Sequence, residues 1–414
     1  MTGNLIVFAT LAATAALLLS PRLTAWPVWR ATVTPLASII GSGFLVSFPL
    51  LTHDLGSYAV IAITGLVAFA YLLGSAIRFN ILHGEPLFVP RAPLLSKGGE
   101  GWLRSLESIS HLALALAYFI SVTYYLTLLS AFLLEGLGTP HPLAAKAVTT
   151  AILIGIGAQG LLRGLHGLES VEEYAVGLKL AVIAAAIAAL VWLNIDMAVE
   201  GTWHVVEQPK PIYWQSVRVV LGLLVVVQGF ETSRFLAGAY PPELRVRTMR
   251  YAQWLSGAIY IAFFLLAMAA VDDPSALNGD ATGIIAVLAP AASSLVVLIV
   301  IGAVFAQLSA AVADSIGAGG LIEQVTGQRV GHRHAYPVIA LIGILLTWSL
   351  DIFDVITLAS RAFALFYFLQ CLVAAAVASK APHVSHRAPR ILGFLVLAGL
   401  ALAVVVFGIP MEGV

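Results

Sequence analysis

Two glycines bracket a serine at Gly41-Ser42-Gly43, inside an apolar stretch running from about Thr32 to Leu51. The stretch is long enough to cross a bilayer, yet each glycine weakens a helix by about 1 kcal/mol relative to alanine. Backbone groups freed in hydrocarbon find no water, so a break there survives only where it lines a cavity or is covered by protein. The N–H groups of Gly41, Ser42 and Gly43, just after Ile40, would form a helix N-terminus suited to a carboxylate. A second interruption reads Gln228-Gly229-Phe230-Glu231, again deep in an apolar run. Carbonyls near Gln228 and Gly229 suit an ammonium group, and the two opposed ends together suit a zwitterion, although other polar solutes could use the same groups. A plainer reading, close helix contact through small residues, competes with this at the first glycine pair.

Ionisable side chains at membrane depth usually face a cavity or a partner and mark function. Lys179 lies about eight residues into its apolar run, which makes it a candidate proton carrier, with a structural tether as the alternative. Glu231 and Arg361 are expected to pair, directly or through substrate, as part of an outer gate; Arg361 could instead hold a substrate carboxylate. Asp314, near the inner end of its run, is expected to latch an inner gate. Phe230 and the Tyr124-Tyr125 pair are candidate aromatic gates, or ordinary packing. There is no H-E-x-x-H and no G-x-x-x-x-G-K, so neither a zinc site nor a nucleotide phosphate loop is expected. No cofactor and no metal is implied. Cys371 is the single cysteine and cannot form an intrachain disulfide.

The elements that must position these residues are membrane helices. Hydrophobic residues make up 60% of the chain and charged residues 10%, with a mean hydropathy of +0.98; a soluble chain carries about 25% charged residues. The apolar runs are continuous rather than alternating, which points to helices and not a barrel. About twelve spans are expected, the first within Asn4–Ser20, with a long polar connection over 78–107. If alternate connections share a side, beginning with the one holding Arg22 and Arg30, that side collects sixteen basic residues against three, Lys146, Lys210 and Arg218, on the other. Such a bias marks the cytoplasmic face and puts both termini outside a plasma membrane, the inner membrane if the source is Gram-negative. Twenty-one basic residues balance twenty-one acidic ones, so no nucleic-acid partner is implied. The two interruptions lie about 188 residues apart on runs of opposite direction, and the spans after each match in spacing. Two five-helix halves of opposite orientation form an inverted-repeat plan, read here as 30–195 and 196–379, with peripheral helices at 1–29 and 380–414.

At these residues the chain resembles the amino acid–polyamine–organocation (APC) transporter superfamily. Ile39-Ile40-Gly41-Ser42-Gly43 is similar to its first-helix signature, Gly229-Phe230-Glu231 to the unwound part of its sixth core helix, and Gly177-Leu178-Lys179-Leu180 to its fifth. Tyr240-Pro241-Pro242-Glu243 keeps only the general character of the family's following loop. The resemblance implies an all-helical 5+5 fold, puts Lys179 where sodium-coupled relatives bind their ion, and makes Gln307 and Ser309 a candidate ion site on the eighth core helix. The function expected is secondary active transport of a small amino acid or amine, with a proton, by alternating access around a mid-membrane site. Two readings compete: the same fold moving an inorganic cation such as potassium or another small metabolite, and a membrane-embedded enzyme or sensory subunit.

Overall fold

The computed structural model describes residues 2–41, 43–88, 100–165, 169–204, 211–277, 281–380 and 385–411. Ser42, at the centre of the first interruption, lies outside them. The described residues form twelve helical rods: α1 (Thr2–Leu18); a first broken rod, α2 (Pro27–Ile39) and α3 (Gly43–Leu55); α4 (Ala59–Phe79); α5 (Glu100–Gly136); α6 (Pro142–Arg163); α7 (Glu169–Glu200); a second broken rod, α8 (Trp214–Gly222) with a 3₁₀ segment (Phe230–Gly238); α9 (Pro242–Met268); α10 (Ser293–Val325); α11 (His332–Ser349); α12 (Ile352–Lys380); and α13 (Arg387–Phe407). Eight helical stretches are long and apolar enough to cross a membrane, the first of them, Pro27–Phe88, covering both α2–α3 and α4.

The expected polar connection over 78–107 is shorter than the sequence suggests. Helix α4 continues through a π-turn, Asn80–Gly84, into a short helix, Glu85–Phe88, and α5 already begins at Glu100. The reason is burial: Arg78, Asn80 and Glu107 are polar but turned into the bundle, each about 6% exposed or less, where they find partners. Charge alone could not separate an inward-facing helix end from a loop.

Within the ten-helix core, α5 packs along α10 and α12, and α6 packs on α11. Helix α1 stands outside the core, laid along α7. It also caps a neighbour: the Asn4 carboxamide oxygen accepts from the Ser294 N–H at 3.2 Å and the Ser294 hydroxyl at 2.9 Å, at the start of α10, where a helix leaves its first N–H groups unpaired.

The two broken rods touch at their breaks. Ile40 leaves the helical region with φ −90° and ψ 72°. In the second rod Gln228 is extended and Gly229 has φ +117°, a conformation open to glycine and strained for other residues. A Cβ on Gly229 would also stand 2.5 Å from the Ser38 carbonyl carbon, and one on Gly43 would stand 2.6 Å from the Val226 oxygen. These glycines let two backbones approach more closely than side chains permit. Beyond the breaks α3 is almost wholly buried, with Phe44 edge-on to Phe263 at 4.8 Å and Phe48 edge-on to Phe264 at 5.1 Å. Gly229→Ala is therefore expected to destabilise the protein by about 1–3 kcal/mol from backbone strain, before any clash. Thermal unfolding should show a drop that Gly238→Ala, where a Cβ meets open space, does not reproduce.

Candidate functional site

Each break exposes peptide groups that the helices no longer satisfy, and named side chains bond them. The Lys179 ammonium donates to the Ala37 carbonyl at 2.8 Å, in the last turn of α2, where a cation also meets the negative end of the helix dipole. The Tyr260 hydroxyl reaches both rods, lying 3.4 Å from the Ile39 oxygen and donating to the Val226 oxygen. On the second rod the Val225 N–H donates to Ser360 Oγ at 2.9 Å. The Gln228 carboxamide donates to the Tyr125 hydroxyl at 3.4 Å, and the Tyr125 ring lies beside Gly41.

Glu231 turns back on its own rod. One oxygen, Oε2, accepts from the Gly229 N–H at 3.1 Å and from the Tyr367 hydroxyl at 2.7 Å, while Phe230 stacks on Tyr367 at 5.0 Å. The other oxygen, Oε1, and the hydroxyl of Tyr118 are buried without a well-formed hydrogen bond, although that hydroxyl lies within reach of the Glu231 carboxylate and beside Asp314. Asp314 itself accepts from the Ser121 hydroxyl. Buried polar atoms are rarely left unpaired, and those that are call for an explanation.

A cavity of about 520 Å³ leads to these groups. It follows α2 from Arg30 past Thr34 to Ser38 at the first break, and its walls include Tyr118, Thr232 and Asp314. The cavity thus runs from the end of the bundle where α2 starts, the basic end, to the crossing of the rods. Its volume falls within the range of small-ligand sites.

The structure gathers Ile40, Gly41, Gly43, Tyr124, Gln228, Gly229, Phe230 and Glu231 around one crossing, with Tyr124 packed on Tyr125. It separates others. Arg361 does not reach Glu231: it is exposed and donates through Nε to the Val405 carbonyl at 2.6 Å, in the last turn of α13. Its depth suits a gate, but Ser360 and Tyr367 occupy the inward face of α12 and Arg361 sits about 100° round from Ser360. Gln307 is fully buried and Ser309 only half-buried; two residues apart on a helix, they do not share a face. Arg234, one of the sixteen basic residues assigned to the cytoplasmic side, is inside the bundle, bonded to Glu107 at 2.6 Å and to Gln370 at 2.9 Å. Tyr118, Ser121, Tyr260, Ser360 and Tyr367 were not anticipated; aromatic and hydroxyl residues in apolar helices give no sequence signal until helix rotation is known.

A sequence-family profile described as APC superfamily transporter matches residues 21–408. The chain belongs to the APC superfamily of transporters. A relative from Aquifex aeolicus (strain VF5), titled an uncharacterized protein, is 41% identical over 395 residues, covering 95% of this chain and 94% of its own. Among solved structures, the Eremococcus coleocola manganese transporter in complex with an aromatic bis-isothiourea substituted compound aligns with a TM-score of 0.58 at 15% identity, over 91% of this APC transporter and 85% of its own chain. That likeness shows the fold.

One consequence of the geometry is direct. Tyr260→Phe in this APC transporter leaves the Val226 carbonyl buried without its donor and is expected to cost about 1–3 kcal/mol, read as a lowered midpoint in thermal unfolding.

Proposed function

We propose that this APC transporter moves a small amino acid or amine, coupled to a proton, and that the structure holds it open toward the cytoplasm. The observation that carries the reading is the cavity along α2, which ends on Tyr118 and Asp314 with the buried Glu231 carboxylate beside Tyr118. An ammonium group can donate to Glu231 Oε1, and the Tyr118 hydroxyl can donate to a carboxylate or accept from an ammonium. The closed side is packed by Phe44, Phe48, Phe263 and Phe264, so alternating access requires α3 and α9 to part there while α2 closes the cavity. With the basic connections cytoplasmic, both termini lie outside.

Lys179 is the proposed coupling residue. Its ammonium grips the end of α2, the helix that borders the cavity, so its proton and the position of α2 are linked. A neutral amine keeps two N–H donors but loses the charge that the helix end favours. Asp314 is proposed as the inner latch, since it lines the same cavity from α10.

A second reading, an inorganic cation, is favoured by the two carboxylates near Tyr118 and by the solved manganese transporter of the same fold. Against a transition metal, no group of three or more His, Cys, Asp or Glu gathers among the described residues. Uptake into liposomes across amino acids, amines, potassium and manganese, with pH gradients imposed, separates the readings. Amino acids or amines should be taken up and the inorganic cations should not; accumulation of manganese or potassium alone would replace the first reading by the second. In that assay Glu231→Gln is expected to reduce uptake by about tenfold or more, since a hydrogen bond to a charged group contributes about 1.5–3 kcal/mol. Lys179→Ala should fold yet lose its response to the pH gradient; an unchanged response would remove Lys179 from coupling.

A further inference from the structure

Beside the transport cavity lies a second one, of about 420 Å³. Leu18 and Leu19 at the end of α1, Ala25 in the linker, Trp29 and Arg30 of α2, and Gly177 of α7 are among its walls. Gly177 admits the end of α1, for a Cβ there would stand 2.9 Å from Leu19. The cavity thus exists because a helix outside the transport core lies along α7. Among the described residues its lining contains no acidic side chain, and Arg30 is the one charged group there. The Arg30 side chain is exposed and makes no ion pair or side-chain hydrogen bond among the described residues. Trp26, 53% exposed, and half-buried Trp29 flank it, the residues that settle at headgroup level in membrane proteins.

We propose that this second cavity binds an anionic membrane phospholipid, with its phosphate on Arg30 and an acyl chain against Leu18, Leu19 and Trp29. Apolar walls suit a chain that a soluble anion lacks, and an exposed arginine between membrane helices at the basic end suits an anionic headgroup. Arg30, Val33 and Val176 line both cavities. A lipid seated there therefore touches α2 beside the transport path and sets how far α2 stands from α7. The binding site rests on this geometry alone; its effect on uptake rests on the transport reading above.

The test uses the purified full chain, incubated with phosphatidylglycerol or phosphatidylcholine and analysed for retained lipid by native mass spectrometry. Phosphatidylglycerol should be retained preferentially. Arg30→Gln should lower its retention about fivefold, the value of one basic side chain near an anionic surface. Ala25→Trp, which fills only the second cavity, should abolish the preference. Equal retention of the two lipids, or undiminished retention in both variants, would overturn the site; displacement of the lipid by inorganic phosphate would assign it to a soluble anion. In vesicles, uptake by the parent should change with phosphatidylglycerol content and uptake by Ala25→Trp should not. If retention behaves as expected but parental uptake ignores the lipid, the link to α2 fails and the site stands. Absence of uptake from every vesicle sinks the transport reading and leaves the lipid result intact.

Discussion

A peptide group inside hydrocarbon must be bonded by protein, because nothing else is there to bond it. Two helices that stop at mid-membrane create several such groups at once, and the remaining bundle is arranged to meet them. Helix α7 supplies an ammonium to Ala37, α9 a phenol to Ile39 and Val226, and α12 a hydroxyl to Val225. Glu231 serves the Gly229 N–H from within the second rod. These obligations fix which face each supporting helix presents, and they explain why polar side chains of three helices meet at the crossing.

The halves of the two rods that border the cavity are not held alike. The 3₁₀ segment is anchored by Arg234 to Glu107 and Gln370, while Arg245 binds Glu85 with both terminal nitrogens, at 3.0 and 2.6 Å. Asn80 closes the group by donating to Gln370 at 2.8 Å. Such buried pairs add little net stability but are costly to break singly, so they hold the segment in register. Among the described residues helix α2 has no ion pair of this kind; it packs on α9 and on the 3₁₀ segment, with Lys179 at its tip. Of the two, α2 is the more lightly held.

Much of this was legible from the chain. Glycines in a bilayer-length apolar run announce a break because continuous helix is the default there, and Lys179 stands out because charge at that depth is rare. The inverted repeat followed from spacing. What stayed hidden depends on rotation about helix axes. Arg361 has the depth of a gate residue but faces α13, and Tyr260 looks like packing until its hydroxyl is seen between two carbonyls. Arg234, Glu107 and Glu85 carry no mark of burial, because sequence records charge without recording which way a helix end turns. The first break was visible in its residue types, whereas the 3₁₀ winding of the second had no such signature.

That winding has a mechanical side. A 3₁₀ helix rises about 2.0 Å per residue and an α-helix about 1.5 Å. Phe230–Gly238 contains nine residues, well beyond the three or four over which 3₁₀ geometry usually persists. Rewound as α-helix, the same residues would shorten by about 4 Å, roughly three-quarters of the pitch of an α-helix. Wound this way, the segment spans the distance from the crossing of the rods to Tyr240 with fewer residues than an α-helix would need, and Arg234 pins it part-way along.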